Sequence, residues 1–250
     1  MLETTKLKPE WWSLFDPELP NDPMIRSALI GRSPGVAYVN RIDQPTQIVV
    51  RDHYGTTFAG SRVTATFLSE AIDRARKRGW VSLIDNGVPD EVRANGEVVE
   101  RLHFDDCDLQ SKLLQVLRGQ LPTGFEVLDL DRRLFELCHH CNRELPRIYG
   151  DELDRFFDFG YGICLMHDGE VVSEAYAGYV AEGRAEVIVG TVEACRGQGL
   201  ASIACAFLAE AARARGDVIL WSCLASNPAS IATARHLGFE SERHYQVIYL

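Results

Sequence analysis

Apolar and polar positions change period several times along the chain. Short alternating runs at residues 35–40, 46–51 and 57–61 predict strands. Residues 66–78, TFLSEAIDRARKR, carry an amphipathic stripe that ends at Gly79 and predict a helix. Further strands are expected at 80–84 and at Glu97–Phe104, and a helix at 110–117. Residues 1–24, rich in Pro and Asp, predict an irregular arm. In the second half, 125–130 predicts a strand. Residues 132–141 and 151–159 predict two short helices, separated by Leu145-Pro146 and Gly150. Strands at 162–166, 171–180 and 185–192 follow, joined by turns at His167-Asp168-Gly169 and Glu182-Gly183.

A longer helix then runs from the glycine-rich turn 196–199 to about Arg215. Leu200, Ile203, Ala204, Phe207, Leu208 and Ala211 make one buried face with 3.6-residue spacing. Val218–Leu224 is apolar enough for a buried strand. Asn227-Pro228 opens a second helix, closed by Gly238, and 245–250 is a last strand. From residue 125 the expected order is β-α-α-β-β-β-α-β-α-β, and no sequence repeat is visible. The expected architecture is α/β (α+β), divided into a smaller mixed domain at 1–120 and a second domain at 121–250.

Charge narrows the chemistry. Residues 121–250 hold 11 arginines and no lysine against 19 acidic residues, a net −8 of the chain's −10. Nucleic-acid binding is not expected of such a surface, and a cationic amine is favoured over an anion as partner. No apolar run is long enough for a membrane span and the N-terminus lacks a signal pattern, so a cytoplasmic protein is expected. The seven scattered cysteines are expected to be reduced.

The strongest chemical feature is Arg196-Gly197-Gln198-Gly199-Leu200-Ala201 at a helix start. First-turn amides there lack internal partners, the helix dipole adds positive potential, and the glycines let a diphosphate approach the backbone. The spacing fits neither a Rossmann fingerprint nor a Walker A loop.

This stretch resembles the GNAT N-acetyltransferase signature Arg/Gln-x-x-Gly-x-Gly/Ala, at Arg196, Gly199 and Ala201. Asn227, Ser230, Leu237, Gly238 and Phe239 match its downstream Asn-x-x-Ser…Leu-Gly-Phe pattern, and the element order matches over roughly 123–250. The segments GYGICLMHDGEVVSEAYAGYV, AEVIVGTVEACRGQGLAS and ILWSCLASNPASIATARHLGF resemble most the branch that includes zwittermicin A resistance proteins. The resemblance implies acetyl-CoA as co-substrate, lying between the strands at 185–192 and Val218–Leu224. It implies contacts from Val189, Gly190 and Thr191 to the acetyl carbonyl and pantetheine arm. Arg196, Gly197, Gln198, Gly199, Leu200, Ala201 and Ser202 would hold the pyrophosphate, with Asn227 and Ser230 beside the pantetheine or the sulfur.

Glu186, a carboxylate in an apolar strand, is the leading catalytic base, with Glu174 as runner-up. Ala234 occupies the position where many GNAT enzymes carry a tyrosine general acid. Tyr245, or Tyr249, is the candidate substitute. Ser173 and Trp221 are expected to be structural. Cys138-His139-His140-Cys141 is not expected to bind metal, because no second cysteine pair lies near it in sequence. Cys195 and Cys223 read as buried or lining thiols. The function expected is acetyl transfer to a primary amine of a small molecule, an antibiotic among the candidates. A non-catalytic acyl-CoA module and a protein or peptide acetyltransferase are the alternatives, and a homodimer is left open.

Overall fold

The computed structural model describes residues 1–104 and 111–250. In chain order it holds β1 (Leu2–Thr4), α1 (Asp22–Leu29), β2 (Gly35–Val39), β3 (Ile48–Asp52), β4 (Thr56–Ala59), α2 (Ala65–Arg76), β5 (Ser82–Asp85), α3 (Asp90–Arg93), β6 (Glu97–Phe104) and α4 (Ser111–Gly119). It continues with β7 (Phe125–Asp129), α5 (Arg132–Leu137), α6 (Cys141–Tyr149), α7 (Asp154–Phe159), β8 (Tyr161–His167), β9 (Glu170–Ala181), β10 (Arg184–Thr191), α8 (Leu200–Arg215), β11 (Val218–Leu224), α9 (Pro228–Leu237) and β12 (Glu242–Tyr249). Gln110, expected to begin the helix now seen as α4, lies outside the described residues.

The strands form one sheet in the order β1-β2-β3-β4-β5-β12-β6-β11-β10-β9-β8-β7. Two stretches of chain trace the same path. β2, β3 and β4 pair antiparallel, α2 follows, β5 returns parallel to β4, and α3 leads to β6. β8, β9 and β10 pair antiparallel, α8 follows, β11 returns parallel to β10, and α9 leads to β12. The final strands are exchanged: β6 pairs with β11, β12 pairs with β5, and β6 and β12 pair with each other. Topology therefore repeats where the residues do not. Strands from either side of residue 120 interleave at the middle of the sheet.

Local chemistry explains the elements. Asp168 and Gly169 have φ of 50° and 81°, and Glu182 and Gly183 have 50° and 77°. Two successive left-handed residues make the tight hairpin turns that match strand twist. Helix α8 buries Leu200, Ile203, Ala204 and Leu208 in a cluster with Ile163, Ala175 and Trp221. Gly216, at φ 78°, ends it.

Three expectations change. The arm at 1–24 is not wholly irregular: β1 extends the sheet edge, and α1 packs against β9 and β10. The helix expected at 132–141 stops at Leu137, where Cys138 becomes extended, and a new helix starts at Cys141. Pro146 lies inside that new helix rather than breaking it. Buried Cys141, Leu145, Ile148 and Tyr149 anchor the helix. Glu174 accepts from the amides of His139 at 3.0 Å, His140, and Cys141 at 3.2 Å, so the helix start is satisfied.

Candidate functional site

β10 and β11 are paired only from Arg184–Val218 to Glu186–Leu220. A bulge follows at Glu186/Val187, and beyond it the two strands part. The gap opens into a cleft of about 540 Å³. Glu186, Val187, Ile188 and Val189 of β10 form one side, and Trp221, Ser222, Cys223 and Leu224 of β11 the other.

Glu186 stands where the strands separate. It is buried, and its Oε2 has no hydrogen-bond partner. Burial raises its pKa from an ordinary 4.5 to about 8, opposed by the Ser222 hydroxyl and the Arg101 guanidinium. Withdrawal from water is the larger effect because one oxygen is left unsolvated.

The neighbouring wall comes from the first half of the chain. Arg101, on β6, reaches the site because β6 lies against β11. Its guanidinium donates to Tyr245 Oη at 2.7 Å and to Ser222 Oγ at 3.3 Å. Asn21 Nδ2 donates to the same Tyr245 oxygen at 2.7 Å, and Asn21 Oδ1 lies 3.3 Å from His103 Nδ1. Asn21 and Arg101 line the cleft, and Tyr245 sits behind them. Tyr249 does line it, beside Trp80 and Tyr54, whose rings meet edge to face at 5.3 Å.

On the β11 side Trp221 Nε1 donates to Ser230 Oγ at 3.1 Å, and the Ser230 hydroxyl faces the Cys223 sulfur. Asn227 caps α9 through the Ser230 amide at 3.1 Å. Both residues line the cleft. Ala234 is wholly buried, and its methyl group has no proton to offer the site. Cys223 lines the cleft and burial pushes its thiol up, which disfavours a nucleophilic thiolate.

Along β10 the amides alternate in direction. Val192 N–H donates to Val172 O at 3.0 Å, toward β9. By this alternation Gly190 also turns toward β9, while Val189 and Thr191 turn their amides toward the opened side. Gly190 has a second role: a Cβ there would lie 2.4 Å from His140 Cβ, so only glycine lets His140 close that wall. Ser173 is structural, bonded to Gly190 O at 3.2 Å and Thr191 Oγ1 at 2.8 Å. Glu174, capping α6, is engaged by three amides and is no free base.

The glycine turn lies on the surface past the end of β10. Gly197 and Gly199 adopt φ of 76° and 77°, the left-handed region that other residues enter at a cost. An added Cβ at either would meet nothing within 4 Å, so the space above the turn is open. No side chain caps α8, whose first residues Leu200, Ala201 and Ser202 follow directly. Arg196 and Gln198 flank the turn, exposed, and Arg196 Nε donates to Thr191 O at 3.3 Å. These features fit a diphosphate: uncapped amides, an adjacent guanidinium and unobstructed approach. The parted strands fit an extended arm running from that turn toward Glu186.

The cleft thus gathers Glu186, Val189, Asn227 and Ser230. Tyr249, a candidate from the sequence, lines the cleft, whereas nothing local marks Arg101, Asn21, His140, Tyr54 or Trp80 as cleft residues, since the pairing of distant strands and the α1 and α6 placements bring them in. Cys164 is likewise unmarked. On β8, its Sγ lies 3.6 Å from that of Cys138.

Comparison with known proteins supplies the relationship. A family model described as GNAT acetyltransferase matches residues 13–248, so the match reaches well into the first half of the chain. The uncharacterized N-acetyltransferase YdfB of Bacillus subtilis is 32% identical over 131 residues, covering 52% of this chain; the chain spans about half (50%) of that relative's length. The crystal structure of a GCN5-related N-acetyltransferase-like protein from Streptococcus suis superposes with a TM-score of 0.75 at 23% identity, covering 96% of each chain. A tandem GNAT protein from the clavulanic acid biosynthesis pathway gives 0.62 at 12% identity, covering 97% of this chain and 91% of that one. The last two likenesses concern the fold. With a family model spanning nearly its whole length, the chain belongs to the GNAT acetyltransferase family.

Proposed function

We propose that this protein transfers an acetyl group from acetyl-CoA to a primary amine of a small molecule. The observation that carries the reading is Glu186: a buried carboxylate, one oxygen unpartnered, its pKa raised to about 8, at the point where β10 and β11 part. A carboxylate of that basicity takes a proton from an amine far better than an ordinary one. Bound acetyl-CoA supplies the activated acyl group as a thioester. The open turn from Arg196 to Ser202 would hold its diphosphate, and the amides of Val189 and Thr191 would orient the acyl arm and polarise its carbonyl. Ser230, its oxygen already engaged by Trp221, has a hydrogen to donate to the leaving sulfur. Tyr245 is a positioning group here, holding Arg101 and Asn21 in place.

Residues from both halves of the chain make the acceptor's wall. Tyr54, Trp80 and Tyr249 offer flat apolar faces, and Glu144 lies among the cleft residues with Arg147. An amine on a compact body fits this mixture better than a long peptide. The similarity to the zwittermicin A resistance branch adds antibiotic amines to the candidate acceptors.

The test is release of free thiol from acetyl-CoA by purified protein across a panel of amines, with CoA binding followed by calorimetry. Turnover on a small amine is expected. CoA binding without turnover on any amine, peptides included, would favour a non-catalytic module, which the buried Ala234 motivates. Absence of both binding and turnover removes the proposal.

A further inference from the structure

Away from the cleft, three thiols and a carboxylate converge in the core beneath α6. Cys138 and Cys141 flank the turn that starts the helix. Cys164 and Glu174 are cross-strand partners on β8 and β9, so their side chains stand side by side on one sheet face. All four are buried, Cys141 and Cys164 completely. Sulfur, sulfur and carboxylate oxygen of Cys138, Cys141 and Glu174 lie within 4.8 Å of one another. Cys164 Sγ approaches Cys138 Sγ to 3.6 Å.

We propose that Cys138, Cys141, Cys164 and Glu174 form a structural zinc site. With Zn–S near 2.3 Å and Zn–O near 2.1 Å, tetrahedral ligands stand roughly 3.5–3.8 Å apart. The Cys138–Cys164 separation already has that value, the ligand atoms of Cys138, Cys141 and Glu174 lie within 4.8 Å of one another, and the ion would draw Cys164 in to complete the set. The Cys-x-x-Cys spacing, second cysteine at a helix start, presents two sulfurs to one point. Glu174 is held as a metal ligand would be: Oε1 accepts from the His139 and His140 amides, Oε2 accepts from the Cys141 amide, and the carboxylate also faces the Cys138 and Cys141 thiols, whose protons zinc would replace. Closed four-ligand sites rich in thiolate favour zinc over calcium or magnesium. Binding replaces three S–H bonds with three Zn–S bonds and releases three protons to solvent. The site would brace the turn that carries His140 against Gly190, and so the cleft wall.

The experiment uses the full chain without a histidine tag, purified reduced. Elemental analysis after loading with zinc and dialysis is expected to give about one zinc per chain. Cobalt(II) in its place is expected to show thiolate charge-transfer and tetrahedral d–d absorption, a readout that needs no variant. Cys164→Ser and Glu174→Gln are expected to weaken zinc binding by at least about tenfold, as loss of a ligand or its support does. Cys205→Ser, which removes a buried thiol elsewhere, should leave it unchanged. Reduced protein that retains no zinc and gives no cobalt spectrum overturns the proposal. So does zinc held as tightly by a Cys138→Ser/Cys141→Ser variant, or a Cys138–Cys164 disulfide in place of metal.

Discussion

The two halves of the sheet trace one path and end in different chemistry. Helix α8 begins at Gly199, in left-handed backbone with no side chain over its amides. Helix α2, its topological counterpart, begins at Thr64, whose hydroxyl accepts from Phe67 N–H at 3.3 Å. Gln47 Oε1 in turn accepts from the Thr64 amide and hydroxyl, at 2.9 and 3.1 Å. Gly60 before α2 is packed shut, since an added Cβ would lie 2.8 Å from Ile48 Cγ2; the space above Gly197 and Gly199 is open. The strands differ in the same sense. The last residue of β10 in register with β11 is Glu186, buried with one oxygen unpartnered. The last residue of β4 in register with β5 is Thr57, whose hydroxyl donates to Gly55 O at 3.2 Å. At this helix start and strand end the first half spends its polar groups on itself. The other leaves donors and one acid unspent, and unspent polar groups at a strand opening are what a ligand recognises.

The sharpest way to break this comparison is Glu186→Gln. We expect kcat/KM for the amine to fall about 10²–10³-fold with CoA affinity unchanged. Thr57→Val in the other half should leave both unchanged. In the unaltered protein kcat/KM should rise with pH to a plateau above about 8, and the glutamine variant should lack that limb. Stability carries the opposite sign. The folded protein keeps on Glu186 a proton that the unfolded chain loses near 4.5, so unfolding free energy declines between pH 4.5 and about 8. Chemical denaturation at several pH values reads this slope, and Glu186→Gln should flatten it.

Next in size is Gly199→Glu. It sets a carboxylate over the open turn and a side chain at φ 77°. We expect CoA to bind about 10–100-fold more weakly, from charge repulsion and the cost of a left-handed residue. Unchanged affinity would remove the turn from the cofactor site. Gly60→Ala, the matching change on the other side, should instead destabilise the fold by about 1–3 kcal/mol through overpacking and leave CoA affinity alone.

Much of this contrast is legible in the amino-acid sequence. The strands and α8 follow from alternation, hairpin turns and one apolar stripe, and Glu186 follows from a charge inside an apolar strand. What was hidden depends on pairing between distant segments. Arg101 sits in a strand of ordinary alternation, and nothing local says that this strand crosses to β11. Cys164 lies 26 residues from Cys138 and meets it only because β8 runs beneath the α5–α6 turn. Pro146 read as a break because its missing amide is visible locally. The buried carboxylate that caps the same helix is supplied from β9, 33 residues beyond Cys141. The repeated topology was hidden for a similar reason: the second half's glycines and acid are replaced in the first by residues that satisfy themselves.

The smallest expected effect separates capping from ligand binding most cleanly. Thr64→Ala removes the hydroxyl that satisfies a first-turn amide of α2 and accepts no ligand in the present reading. Loss of such a cap costs about 1 kcal/mol of stability. That is a modest shift in denaturation midpoint, with acetyl-CoA affinity and turnover unaltered. If the two helix starts were equivalent, uncapping α2 would instead create a second diphosphate seat, and calorimetry would find a second, weaker CoA site. We expect none, because the packed Gly60 bars close approach even when the amides are free.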